Sequence, residues 1–209
     1  MVNQVRFLEA GEVQRLMETP SLKSLTGLRN RCILGLMYEA GLRVSEVLEL
    51  KPRDVNIRER RVDVLRGKGA KPRTVYFRSG ALSELLERWK ERRPESEYLF
   101  CNVRGEDRGG QVSTRNIQKA VSTYAGKTEI PVRVTPHVLR HTCATEMLRR
   151  GVNLRVIQEA LPSITGVIGH QLLYGCFASR WQIQVCCSET LSEHATGGQA
   201  CWRDRLTMI

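Results

Sequence analysis

Residues 135–151 read Thr-Pro-His-Val-Leu-Arg-His-Thr-Cys-Ala-Thr-Glu-Met-Leu-Arg-Arg-Gly, a stretch that carries its own punctuation. Thr135 suits an N-cap, where a hydroxyl takes up an unpaired backbone N–H. Pro136 suits the first helical position and Gly151 the residue beyond the last turn. A helix is therefore predicted over about 136–150. His137 and Arg140 stand three apart near its start and share a face, at the end of the helix that carries partial positive charge. Past Gly151, Asn153 can cap a further helix with Leu154, Ile157 and Leu161 on one side, and Pro162 breaks that pattern.

Working outward, residues 7–18 predict a short helix with Phe7, Leu8, Val13 and Leu16 as buried positions. Leu28, Cys32, Ile33, Leu36 and Met37 form one helical stripe over 28–40. Gly41 fits the positive φ wanted at a helix C-terminus. Ser45–Leu50 reads as another short helix, stopped by Pro52. The period then changes to two, in the pairs Val55/Ile57, Val62/Val64 and Val75/Phe77. Polar connections separate them, Arg58-Glu59-Arg60 and Gly67-Lys68-Gly69-Ala70-Lys71-Pro72, so two hairpins in a small antiparallel sheet are expected. Helical spacing returns with Leu82, Leu85, Leu86 and Trp89, and again with Ile117, Ala120, Val121 and Tyr124. The fold class is α+β, mainly α: helices, a three-stranded antiparallel meander, then helices.

Composition narrows the function. The 209 residues suffice for one medium domain, and 41% hydrophobic content with 26% charged is ordinary for a globular protein. No run approaches the roughly 20 apolar residues of a membrane helix, and Met1 begins no secretion signal. The expected location is the cytoplasm. The charge is unusual: 33 Lys and Arg against 22 Asp and Glu give +11. Residues 175–209 hold three basic groups (Arg180, Arg203, Arg205) and three acidic ones (Glu189, Glu193, Asp204), so the whole excess lies before residue 175. An excess of this size favours a polyanion, nucleic acid being the commonest, over a merely solubilising surface. Cys176, Cys186, Cys187 and Cys201 crowd the tail, without ligand spacing for zinc or the context of a disulfide framework.

Four basic groups stand out: Arg43 after the Gly41 turn, Lys68 at a glycine-flanked hairpin tip, and the pair His137 and Arg140. Singly, each has a plain alternative. Arg43 can be a surface ion-pair partner of Glu46, Lys68 a solvated turn residue, and His137 a structural hydrogen-bonder. Convergent, they suit the gripping of a phosphodiester and its pentacoordinate transition state. The three boxes Gly41-Leu42-Arg43-Val44-Ser45-Glu46-Val47-Leu48, Gly67-Lys68-Gly69-Ala70-Lys71-Pro72-Arg73 and Thr135-Pro136-His137-Val138-Leu139-Arg140-His141-Thr142 occur in order. Together they resemble the catalytic domain of tyrosine recombinases, in the Xer-like and phage or archaeal integrase branches, over roughly residues 5–165.

The resemblance implies that Arg43 and Arg140 clamp the scissile phosphate of double-stranded DNA. It further implies that Lys68 protonates the leaving 5′-oxygen and that His137 assists proton transfer. A tyrosine would attack, forming a 3′-phosphotyrosyl link that a second hydroxyl reverses, without ATP or metal as cofactor. Tetramers on paired DNA sites, and a monomer or weak oligomer off DNA, are implied as well. So is nucleoid association within the cytoplasm.

The pattern breaks after residue 161. A Leu-Gly-His ending is expected there, but Pro162-Ser163 follows Leu161. The tyrosine, roughly two and a half helical turns beyond that histidine, has no residue in register. Gly169-His170 restores a glycine-histidine pair, and Tyr174 follows four residues later. Tyr174 is the candidate nucleophile and His170 its companion, against the alternative of an unrelated tyrosine in altered sequence. Tyr38, Tyr76, Tyr98 and Tyr124 lie upstream and are poorer choices. The expected organisation is a catalytic unit over 1–174, without the N-terminal core-binding domain usual in the family, and a divergent neutral tail over 175–209. A disrupted gene end and a divergent branch both fit that tail.

Three functions compete: an active site-specific strand transferase, an inactive DNA-binding remnant or competitor of an intact recombinase, and a type IB topoisomerase-like nicking enzyme. The first two share one expected outcome. Duplex affinity should fall by roughly 10³-fold or more between about 50 and 200 mM salt if six or more phosphates are contacted. A titration across a salt series measures this. A flat response, or equal binding by a peptide of residues 175–209, would contradict it.

Overall fold

The computed structural model describes residues 7–65 and 72–162. Lys68, His170, Tyr174 and the tail 175–209 lie outside the described residues.

The element order is α1 (Ala10–Glu18), α2 (Leu25–Glu39), α3 (Val44–Glu49), a 3₁₀ turn (Pro52–Asp54), β1 (Val55–Asn56), β2 (Arg61–Val64), β3 (Arg73–Tyr76), α4 (Gly80–Arg92), α5 (Thr114–Gly126), α6 (Pro136–Arg149) and α7 (Leu154–Ala160). This is the expected α+β class, mainly helical with one three-stranded antiparallel sheet in the order β1-β2-β3. The register pairs Val55 with Val62 and Val62 with Val75, so one face carries the apolar set into the core.

α2 is the hub. Leu28, Cys32, Ile33, Leu34, Leu36 and Met37 are all buried, and the helix packs chiefly against α4 and α6. A helix buried on nearly every side need not be amphipathic, which is why its apolar residues extend beyond a single stripe. It begins at Leu25, not Leu28, because the Ser24 hydroxyl caps the Gly27 N–H. α1, by contrast, begins later than read, at Ala10. Leu8 is buried ahead of it, with its N–H donated to Thr142 Oγ1 of α6 at 3.0 Å.

The strands are shorter than the alternation suggested. Ile57 and Phe77 are buried but lie outside the ladder. Arg60 turns the first hairpin at a φ of 52°, and the Phe77 N–H closes onto its carbonyl. Residues 97–112, which carry no clear period, form an unforeseen ordered stretch. The Leu99 N–H meets the Leu50 carbonyl at 2.6 Å, and Cys101 bridges Gln111.

The caps fell where the sequence put them. Thr135 accepts from the Val138 N–H, Asn153 accepts from the Arg155 N–H, and Gly151 has a φ of 78°. Gly41 matters most. Its φ is 60°, and a Cβ there would run into the Leu161 side chain and crowd Cys143. Left-handed backbone and close approach both demand glycine. Gly41→Ala should therefore lower stability by about 2–4 kcal/mol, the sum of left-handed strain and overpacking. Urea unfolding of parent and variant measures this, and a loss below about 1 kcal/mol would refute the packing described.

Candidate phosphate-binding site

The site grows from the turn between α2 and α3. Gly41 reverses the chain, Leu42 is buried, and Arg43 becomes the N-cap residue of α3. The helix starts one residue earlier than the sequence suggested, and this places Glu46 in its first turn. The Glu46 carboxylate reaches back to the Arg43 N–H at 2.8 Å, half of a capping box. It also accepts from the Arg43 guanidinium, Nη1 to Oε1, at 2.8 Å.

Two further arginines close on the same carboxylate. Arg73, at the start of β3, donates Nη2 to Glu46 Oε2 at 2.8 Å. Arg140, from α6, brings Nη1 to 4.0 Å of that oxygen and hydrogen-bonds the Gly41 carbonyl. Glu46 is 3% exposed and Arg140 4%, so these charges meet largely away from water. The end of α7 supplies neutral acceptors. Arg73 Nε donates to the Ala160 carbonyl at 3.0 Å. The Pro162 carbonyl accepts from both Arg43 Nη2, at 2.7 Å, and Arg140 Nη2, at 2.9 Å.

The electrostatics follow from this crowding. Burial by itself would raise the Glu46 carboxyl. The Arg73 hydrogen bond, the Arg43 N–H and the charges of Arg73 and Arg140 outweigh it and hold the group below the ordinary carboxylate value. Burial, then the neighbouring charge of Arg43, pushes Arg140 down to about 10, with Glu46 pulling the other way. Arg140 is still a cation at neutral pH.

Of the six residues singled out from sequence, the structure brings Arg43 and Arg140 together. His137 lies on the same helix, exposed on its first turn. Lys68, His170 and Tyr174 lie outside the described residues, although the strands flanking the Lys68 loop pair as expected, Val64 with Arg73. Tyr124, judged a poor nucleophile, has its hydroxyl engaged by Asn30 Nδ2 at 2.8 Å.

Two members of the cluster were missed. Glu46 was weighed only as a surface partner of Arg43. Arg73 was given no role, yet a signal was present. Val75 and Phe77 face the core, and strand parity puts Arg73 on their side.

Comparison with known proteins places this architecture. The phage integrase family model matches residues 6–162, and the chain belongs to that family. Tyrosine recombinase XerA of Thermococcus kodakarensis is 42% identical over 156 residues, 75% of this chain and 53% of that protein. Tyrosine recombinase XerD of Staphylococcus epidermidis is 37% identical over 160 residues, 74% of this chain and 52% of that protein. The crystal structure of XerA recombinase matches with a TM-score of 0.68 at 32% identity, over 80% of this chain and 59% of that one. The XerH recombinase bound to its difH substrate, at 23% identity, shares the fold with a TM-score of 0.66, over 88% of this chain and 53% of that one. The chain spans about half the length of the curated relatives it matches.

The buried carboxylate gives a pH-dependent expectation. Glu46→Gln leaves three crowded guanidiniums without an anion and should cost about 3 kcal/mol at neutral pH. The Glu46 pKa is depressed on folding, so its contribution is complete above the unfolded carboxylate value and is lost as pH falls through the folded one. The stability gap between parent and variant should therefore narrow on acidification from about pH 6 to pH 3. A gap that stays constant over that range in urea titrations would contradict the assignment.

Proposed function

We propose that this chain cleaves and rejoins double-stranded DNA at specific sites through a 3′-phosphotyrosyl intermediate, as a site-specific recombinase. One observation carries the reading: Arg43 and Arg140, from distant parts of the sequence, converge on a single oxygen, the Pro162 carbonyl. Two guanidiniums aimed at one oxygen are arranged as a phosphodiester oxygen requires. The basic charge before residue 175 and the Xer relatives support the same substrate.

In this reading Arg43 and Arg140 bind the non-bridging oxygens and stabilise the charge of the pentacoordinate transition state. His137, exposed near Arg140, assists proton transfer. Lys68, in the loop between β2 and β3, protonates the leaving 5′-oxygen. Tyr174 is the nucleophile and His170 its neighbour. No ATP or metal is required, because the phosphotyrosyl link conserves the bond energy. Residues 1–174 would form the catalytic unit, with 175–209 as an appendage. Assembly would be tetrameric on paired DNA sites, with a monomer or weak oligomer off DNA. Acting on DNA would associate the protein with the nucleoid in the cytoplasm. Among the described residues no helix is long and apolar enough to cross a membrane.

A second reading, a DNA-binding competitor without strand transfer, is favoured by one feature. Pro162-Ser163 stands where Gly-His is expected, and no tyrosine follows in register.

A nicked suicide DNA duplex separates the two. The recombinase reading expects a covalent adduct whose peptide mass maps to Tyr174. The adduct should be abolished by Tyr174→Phe, and the cleavage rate should fall about 10²–10³-fold in Arg43→Ala or Arg140→Ala. An adduct on another residue would remove Tyr174 from the mechanism. Salt-sensitive binding with no adduct would establish the competitor, and absence of DNA binding would defeat both readings.

A further inference from the structure

Arg73, like Arg43, joins both sets of acceptors on which the clamp depends, and it reaches them from the sheet. Its Nη2 donates to Glu46 Oε2, the carboxylate that orients Arg43 and faces Arg140. Its Nε donates to the Ala160 carbonyl, two residues before the Pro162 carbonyl that Arg43 and Arg140 share. The side chain is only 10% exposed, which argues against an ordinary surface charge that meets DNA through solvent. Its remaining terminal nitrogen, Nη1, is buried and has no hydrogen-bond partner among the described residues. A buried donor left unpaired costs stability, so stability alone does not account for how this guanidinium is placed.

We propose that Arg73 is a positioning residue of the phosphate clamp. Acting through Glu46 and the end of α7, it holds Arg43 and Arg140 in their converging geometry. The inference deepens the proposed function and rests on it for the identity of the bound phosphate. The mechanism is geometric. Nε and Nη2 are fixed donors of one planar group, so the carboxylate on α3 and the carbonyl on α7 are held at a set separation. Arg73 is also the first residue of β3, paired with Val64 across the hairpin base. The sheet is thereby tied to the same carboxylate that organises the arginines. A lysine carries the same charge but presents it as one ammonium on a flexible stem and cannot reproduce the fork.

The contrast between charge and geometry supplies the test. The full chain is prepared as parent, Arg73→Lys, Glu46→Gln and the double variant. Two quantities are read below the unfolding transition of each, with backbone amide spectra confirming the fold. The first, without DNA, is the exchange of the Arg140 side-chain N–H signals with water in nitrogen-15 spectra. Slow exchange is expected in the parent and fast exchange in Arg73→Lys. The second is affinity for a duplex at fixed salt, expected to fall about fivefold or more in Arg73→Lys. In the Glu46→Gln background the same change should cost less than about twofold, because both residues act through one contact.

If Arg140 exchanges as slowly in Arg73→Lys as in the parent, the positioning role is wrong, whatever DNA does. Full affinity in Arg73→Lys, or effects that add across the cycle, would reduce Arg73 to a charge and overturn the proposal as well. A parent that fails to bind DNA would defeat the proposed function, while the exchange measurement still decides the arrangement of the clamp.

Discussion

The structure around the site depends on one buried carboxylate. Two unit charges about 4 Å apart repel by about 4 kcal/mol at an effective dielectric of about 20, and three guanidiniums approach Glu46 together. Unscreened, they would hold the start of α3, the start of β3 and α6 apart. Glu46 makes close contacts with Arg43 and Arg73 and lies 4.0 Å from Arg140. It turns mutual repulsion into a shared attraction, at the cost of removing its own charge from water. Its depressed pKa is the measure of which effect wins: desolvation acts against the carboxylate, and the surrounding donors more than offset it.

What brings the arginines to that carboxylate is the packing of Gly41. The turn sends Arg43 to the head of α3, while the Gly41 carbonyl takes a donor of Arg140. The absence of a Cβ lets Leu161 and Cys143 close over the same residue. Backbone conformation, core packing and site geometry are thus set at one position. The small cluster of Cys143, Ala144, Ile157 and Leu161 seats α7 on α6. That seating presents the Ala160 and Pro162 carbonyls to the arginines. A change in that packing would therefore be felt as a change in the acceptors of the clamp.

How much of this was legible follows from the kind of signal each residue gives. Arg43 and Arg140 sit beside helix punctuation, Gly41 and Thr135-Pro136, so local chemistry exposed them. The alternation of Val62, Val64 and Val75 gave the sheet, and the structure supplied its register. Glu46 was underestimated because an acid three residues from an arginine is usually a solvated pair. Its burial is tertiary, produced by neighbours such as Arg73 and Arg140 that no local window contains. Arg73 was hidden by its charge, although strand parity with Val75 pointed it inward. Phe7 shows the same limit from the apolar side. It was read as a helix core residue, but it precedes α1 and lies under the Arg149 guanidinium, 4.6 Å from its ring centroid. Residues 97–112 follow no simple period because turn hydrogen bonds within the stretch, and one from Leu99 to the Leu50 carbonyl, order them.

The charge left over bears most directly on function. Three guanidiniums and one carboxylate leave the cluster with an excess of positive charge, and Arg140, even pushed down to about 10, does not shed its proton near neutrality. The cluster's other acceptors, the carbonyls of Gly41, Ala160 and Pro162, are dipoles without net charge. Hydrogen bonds from an arginine to an anionic oxygen are roughly twice as strong as neutral ones, and the low local dielectric enlarges that difference. An anionic phosphodiester oxygen meeting the two guanidiniums that converge on Pro162 would thus gain charge–charge attraction that the carbonyl cannot supply. A cluster balanced to neutrality would gain nothing from that exchange. The uncompensated charge, more than the number of arginines, is what would suit this site to the phosphate of the proposed function.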